Sequence, residues 1–436
     1  MMRRLFAVIL FSLAALPAHA IEIKEVVSDK GVKAWLVEDH TLPLLTLRFA
    51  FKGGSTQDPE GKEGLSTLMS GLFDEGAGQR EREAFQTRLD EIGAEMSFNA
   101  SQDSMAGSMR LLTENRDEAL DLLRDAVNAP RFDREPFERI RAQLLSGIVA
   151  RANDPQAQAS RRWAEALYGK HPYARDDSGT KASLESVTPD GLRALRSRTF
   201  ARSNLILGVV GDIDPDTLKR ELDRVFGDLP ADPQLTPVAD VQPLLAQEIL
   251  VPYELPQASI QLAYPGVARD DPRFFAAVLM NQVLGGSDMG SRLFDEVREK
   301  RGLAYGIGSS LAGYDHANSL VIGTATRAER AGETLDVIRN VVKGMAEQGP
   351  SEEELNAAKR YLIGAYAIGN LGSSSSIAST LVGLQLDHLP IDYMDRRAAL
   401  IEAVTPEQAK KAAQDLLLTE PAVMIVGPRL TKPVAQ

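Results

Sequence analysis

The chain has no cysteine in 436 residues. Disulfide staples and thiolate metal sites are therefore excluded. Histidine is nearly as scarce, with five in the whole chain. His19 falls in the N-terminal segment described next. His40, His171, His316 and His388 are not spaced to share a metal ion, because a helix offers two ligands to one cation only at close repeats such as i and i+4. No basic run is concentrated enough to follow a phosphate backbone. With a net charge of −12 and a pI near 5.1, nucleic acid and anionic lipid are excluded as partners. Beyond the first twenty residues no apolar run reaches membrane-spanning length.

Those first twenty residues read as a secretory leader. Arg3 and Arg4 make a positive start, Leu5 to Leu16 a short apolar stretch, and Ala18-His19-Ala20 a small-residue cleavage site. Residues 1–20 are expected to be removed, giving a periplasmic chain that begins at Ile21, has no membrane contact and, without Arg3 and Arg4, carries a net charge of −14.

The remainder repeats itself. Glu118-Ala-Leu-Asp-Leu-Leu-Arg124 reappears as Glu333-Thr-Leu-Asp-Val-Ile-Arg339, and Arg141-Ala-Gln-Leu-Leu-Ser-Gly147 as Lys359-Arg-Tyr-Leu-Ile-Gly-Ala365. Both halves close on a buried-strand pattern that stops at glycine, Leu205 to Gly211 and Ala422 to Gly427. A period of about two hundred residues is too long for a solenoid unit and signals a duplicated domain. The expected boundaries are 21–229 and 247–436, with a linker at 230–246 punctuated by Pro230, Pro233, Pro237 and Pro243.

Each half reads as α+β. Strand-length apolar runs at Ile21–Glu25, Val32–Val37 and Leu44–Phe51 precede a helix from about Gly61, whose Leu65, Leu68, Met69 and Leu72 fall on one face. A second helix over about Arg82 to Ile92, strands near Met96–Asn99 and Ser104–Leu112, and paired helices from Arg116 follow. Asp214-Pro215 is an N-cap with proline at the first helical position, opening a helix to Phe226. Strands then helices, twice, predict two homologous domains, each an antiparallel-rich sheet with helices packed on one face.

Two segments carry chemistry. Gly64-Leu-Ser-Thr-Leu-Met-Ser-Gly-Leu72 opens the first long helix after the strands, and Ser291-Arg-Leu-Phe-Asp-Glu-Val-Arg-Glu-Lys-Arg-Gly-Leu-Ala-Tyr305 stands in the second half. Together they resemble the pitrilysin/insulinase-type inverzincin metallopeptidases, which include mitochondrial processing peptidase-like pairs. In that family the first segment carries H-x-x-E-H: two histidines on one helix face hold zinc, the glutamate activates its water, and a later helix adds a third ligand. Here Thr67 and Gly71 occupy the histidine positions and Ser70 the general-base position, while the later helix reads Leu144-Leu-Ser-Gly-Ile148 without a carboxylate. A threonine hydroxyl is a poor zinc ligand, serine cannot activate water, and glycine offers nothing. The chain is expected to hold no metal. Asp74-Glu75 reads as a solvated carboxylate pair, and His171-Pro172 as a packing loop.

The second segment keeps the family's pattern almost residue for residue. The resemblance assigns Arg298 and Tyr305 to substrate binding and to stabilising charge on a scissile carbonyl. Ser97-Phe-Asn-Ala-Ser-Gln102 resembles the family's edge strand, on which an extended peptide lies, with Asn99 as the candidate contact. Gly285-Gly286-Ser287 reads as a packing turn, and Gly372 with Ser373–Ser376 as a mobile loop or an N-cap cluster. A chain with a lost first site and an intact second segment resembles the non-catalytic member of a heterodimer whose partner holds the zinc and whose substrate is an unfolded peptide. The alternative is a peptide-binding or scaffold protein of the same fold with no part in hydrolysis.

Overall fold

The computed structural model of the protein describes residues 21–286 and 289–428. The leader read at residues 1–20 and Ser287 of the glycine turn lie outside them. Among the described residues no helix is long and apolar enough to cross a membrane.

The first half opens with β1 (Lys24–Val27), β2 (Lys33–Glu38) and β3 (Leu44–Lys52). The turn between β1 and β2 uses Gly31 at φ 83°, a left-handed conformation that favours glycine. After β3 come α1 (Leu65–Ser70), the small hairpin β4 (Gly76–Ala77) and β5 (Arg80–Glu81), then α2 (Arg82–Glu91). β6 (Glu95–Ala100) and β7 (Ser104–Leu112) follow, then α3 (Arg116–Asn128), α4 (Arg134–Arg151) and α5 (Pro155–Tyr168). The half closes with α6 (Lys181–Ser186), α7 (Pro189–Thr199), β8 (Leu205–Gly211) and α8 (Pro215–Phe226). Asp214 caps α8 by accepting from the Thr217 amide.

The second half runs β9 (Glu248–Pro252), β10 (Gln257–Pro265), α9 (Phe274–Leu284) and a short α10 (Arg292–Phe294). A π-helical turn (Asp295–Glu299) leads to β11 (Ala304–Tyr314) and β12 (Ala317–Arg327). α11 (Ala331–Gln348), α12 (Glu352–Asn370), α13 (Ser374–Leu386), α14 (Tyr393–Glu402), α15 (Pro406–Leu417) and β13 (Ala422–Gly427) complete it. Ser373 caps α13 through the Ser376 amide, so the serine cluster is a helix start.

The two sheets are versions of one design. Their strand orders are β1-β2-β8-β3-β7-β6 and β11-β12-β10-β13-β9. Each has a single parallel pair, β2 with β8 and β9 with β13, among antiparallel neighbours. Each leaves the first strand of its long hairpin at an edge, β6 in one and β11 in the other. This is the duplicated α+β architecture expected from the repeat. Leu45, Leu47, Phe49 and Phe51 alternate along β3 into the first core, where Leu65, Leu68, Met69 and Leu72 meet them from α1 and the turn after it. At about 1.5–3 kcal/mol for each large side chain buried, this face accounts for much of the half's cohesion.

The other face of each sheet is covered by a helix from the opposite half. α13 lies on β8 and β3, burying Trp35, Val37 and Val210 against Leu381, Leu384 and Tyr393. α5 returns the arrangement, placing Ala159 against Val251, Met424 and Val426 of β9 and β13. The segment 230–246 has no regular structure but is pinned: Gln57 exchanges two hydrogen bonds with Thr236, and Val241 donates to the His316 carbonyl.

Candidate functional site

α1 is shorter than its apolar pattern predicts, starting at Leu65 after Gly64, which sits at φ 90°. Asp58 supplies the missing cap. Its carboxylate accepts from the Gly64 amide (3.0 Å), the Ser66 amide (3.0 Å) and the Ser66 hydroxyl (2.5 Å). Burial pushes this carboxyl up to about 6 despite those bonds.

The positions that would hold zinc in the resembling family are otherwise engaged. Thr67 Oγ1 donates to the Asp177 carbonyl (2.6 Å), tying α1 to the loop that follows α5. Ser70 Oγ donates to the Thr67 carbonyl (2.9 Å), a bond within its own helix. A side chain on Gly71 would start 3.3 Å from Ile140 Cγ2. The residues therefore do not fit a zinc ion. Among the described residues no three histidine, aspartate or glutamate side chains stand together as a metal set. The Asp74-Glu75 reading needs correction. Glu75 is 12% exposed and bonded to Arg82 (2.7 Å) and Arg139, so it is an internal ion-pair centre and not a solvated carboxylate. Burial raises the Asp74 carboxyl above its usual range.

In the second half the structure brings Arg298 and Tyr305 together. The guanidinium carbon of Arg298 lies 5.0 Å from the Tyr305 ring centre and 4.7 Å from that of Phe294. Two backbone irregularities make the contact. Arg298 sits on the π-helical turn, where the Lys300 amide donates to the Asp295 carbonyl five residues back (2.9 Å). Tyr305 and Gly306 together face Ala325, because Ala304 pairs with Thr326 and Ile307 with Thr324. This bulge turns Tyr305 outward to 89% exposure.

The other cations of the segment are committed to carboxylates. Arg292 holds Glu354 (2.7 and 2.8 Å), while Lys300 (2.5 Å) and Arg301 hold Glu296. Among the described residues Arg298 has only Glu299, 3.7 Å from its Nε. A fork held by two rings keeps its N–H donors available beside an exposed phenol, and the pair can hydrogen-bond a carbonyl oxygen. Among the described residues nothing stands within 4 Å of a side chain built on Gly306, one built on Gly308 would start 3.5 Å from the Gly285 carbonyl oxygen, and the tight contact is at Gly285, against Ser309 and Leu293. Phe294 was not singled out in the sequence, although its place four residues before Arg298 is the spacing at which helical side chains meet.

Asn99 lies exposed on β6, an edge strand that pairs only with β7. His171 is a packing residue, its Nδ1 accepting from the Tyr173 amide and its Nε2 meeting the Ala239 carbonyl. The halves touch where their long hairpins end. Asp315 at the tip of β11–β12 donates its amide to Asp103 at the tip of β6–β7 (3.2 Å). Tyr305 stands nine residues back along β11, about 30 Å from that tip at the rise of an extended strand. Among the described residues neither Arg298 nor Tyr305 shares a ring contact or hydrogen bond with Thr67, Ser70 or Asn99.

Residues 34–181 match the sequence model of the family described as Insulinase (Peptidase family M16), and residues 186–362 that of the Peptidase M16 inactive domain. The structure is similar to the crystal structure of a peptidase M16 inactive domain from Pseudomonas fluorescens. Identity is 30% and the TM-score 0.87, covering 95% of this chain and 100% of that one. A non-peptidase homolog of Helicobacter pylori is 25% identical over 397 residues, 90% of either chain. An uncharacterized zinc protease of Streptomyces coelicolor is 26% identical over 385 residues, 86% of this chain and 83% of that protein.

Proposed function

Because the chain belongs to peptidase family M16, the insulinase family, and is an inactive homologue within it, we propose that it is the non-catalytic subunit of an exported, heterodimeric zinc metallopeptidase that cuts unfolded peptides. Its partner is a homologous chain that carries the zinc. This chain supplies Arg298 and Tyr305 to the partner's site, and an extended peptide lies along the edge strand that bears Asn99. Localisation in the periplasm follows from the leader read at residues 1–20.

The observation that carries the reading is the pairing of Arg298 with an exposed Tyr305 in a chain whose own first half has no metal ligands. A guanidinium and a phenol held ready for a carbonyl have no hydrolytic purpose within this chain. In a partner's site they would orient the scissile carbonyl and stabilise its developing negative charge.

The test is to co-express the chain with an exported homologue bearing intact H-x-x-E-H and assay the purified pair on an unstructured peptide. Arg298→Ala is expected to lower kcat by about 10²–10³-fold, the usual cost of removing one charge-stabilising donor. Full activity of that variant pair would leave the scaffold or peptide-binding reading in its place. Chelator-sensitive cleavage by the isolated chain would remove both.

A further inference from the structure

Arg48 sits in the middle of β3, on the face turned away from the first core, and its guanidinium has neither a hydrogen bond nor a counter-ion among the described residues. Its Nε is shut off from solvent without a partner. The half-buried guanidinium thus has one N–H whose lost hydration no other group among the described residues replaces.

Two cavities share this side chain. The larger, about 510 Å³, is lined by Arg48, Arg269, Tyr366, Asn370, Thr380 and one carboxylate, Asp387, and so lies between the first sheet and helices of the second half. The smaller, about 260 Å³, lies over β3, β7 and β6 and includes Glu95, Ser97, Ser108 and Arg110. Ser375 lines both. The neighbouring charges are compensated: Arg269 has Asp387 (3.5 Å) and Arg110 has Glu95 (3.9 Å). Arg48 has none. The Tyr366 hydroxyl, in the larger cavity, is also buried without a partner, while its ring is covered by Arg397 at 4.1 Å. An orphaned N–H and an orphaned O–H in one cavity call for an acceptor, and the uncompensated charge calls for an anion.

Strand register says which anion. Arg48 pairs with Ser108, and Ser108 with Ser97, so the three stand side by side across the sheet. At about 4.8 Å between strands, Arg48 is roughly 10 Å in from the free edge of β6. Ser97 and Asn99 alternate onto the same face. We propose that Arg48 is a carboxylate-binding residue that anchors the C-terminal or an acidic side-chain carboxylate of a peptide held at β6, with Tyr366 as a second donor. The inference rests on the peptide-handling part of the proposed function and is independent of Arg298.

The test uses the isolated full chain and one labelled unstructured peptide in three forms: free acid, C-terminal amide, and amide ending in glutamate. Anisotropy titrations are expected to show the acid binding about tenfold tighter than the plain amide, with the glutamyl amide revealing whether a side-chain carboxylate serves equally. Arg48→Gln should erase the preference, leave the amide's affinity unchanged and keep or raise Tm, because an uncompensated charge is removed. Equal binding of all three forms by the unmutated chain overturns the role of Arg48 alone. A Tm several degrees lower in the variant overturns it too, by making Arg48 a structural residue. If no form binds, the peptide-handling reading falls with it.

Discussion

The Ala378 carbonyl oxygen lies 2.6 Å from the point where a side chain on Gly208 would begin, with Leu381 Cβ 2.9 Å from the same point. Gly208 is in β8 of the first sheet and Ala378 in α13 of the second half, so the absence of one side chain sets how closely the halves pack. Gly208→Ala is expected to cost about 1–3 kcal/mol, because backbone and not a flexible side chain would have to yield. Chemical denaturation with peptide-independent readout checks this, and an unchanged midpoint would mean that α13 rides looser on the sheet than described.

Tyr173, 1% exposed, joins the hairpin tips from beneath. Its hydroxyl donates to Asp103 (2.7 Å) and accepts from the His316 amide (3.0 Å), and burial raises it well above the usual phenol range. Tyr173→Phe keeps the ring contacts with Tyr168, His171 and Tyr314 but leaves the His316 amide without its acceptor and the Asp103 carboxylate with the Asp315 amide alone. The expected loss is about 1–3 kcal/mol, read as a lower Tm.

The Arg292 fork and the Ser351 amide, both donating to it, hold the Glu354 carboxyl down at about 2. A depressed folded-state value means that the stabilisation is fully present above the ordinary glutamate value of 4.5 and disappears as pH falls towards 2. Arg292→Ala should therefore cost about 1–3 kcal/mol at pH 7 and progressively less below pH 4.5. Denaturation of both proteins from pH 7 to 3 gives the two curves, which should converge; parallel curves would assign the loss to packing.

Restoring the motif in α1 should not restore a peptidase. The combination Thr67→His, Ser70→Glu and Gly71→His still lacks a carboxylate on Leu144–Ile148, and the new histidine side chain at 71 must displace Ile140. Less than one zinc per chain by elemental analysis and no chelator-sensitive cleavage are expected. Stoichiometric zinc with turnover would show that another group completes the site.

Much of the architecture was legible because it is local. Alternation at Leu44–Phe51, the Asp214-Pro215 cap and the helix face of Leu65, Leu68, Met69 and Leu72 all depend on neighbours within a few residues. The repeat was legible because duplicated helices keep their apolar pattern. Arg298 and Tyr305 were found by resemblance, and the structure places them in contact; what clamps them was not visible. A π-turn and a bulge leave no fixed sequence signature, since each is settled by what the rest of the segment packs against. Glu75 was misread for a similar reason. Two carboxylates in sequence look solvated until Arg139, from a helix 64 residues away, arrives beside one of them.

By itself, the sequence determined the motif that this chain has lost: no histidine or carboxylate stands at positions 67, 70 and 71 or along Leu144–Ile148, and folding cannot change which side chains those positions carry. The tertiary structure alone decided which charges remain unanswered. Arg292, Arg298, Lys300 and Arg301 look alike in the sequence, yet among the described residues only Arg298 of these four lies between aromatic rings, and Arg48 stands without a counter-ion. Whether a charge is satisfied depends on groups within a few ångströms, and in a chain whose halves exchange helices those groups come from distant sequence.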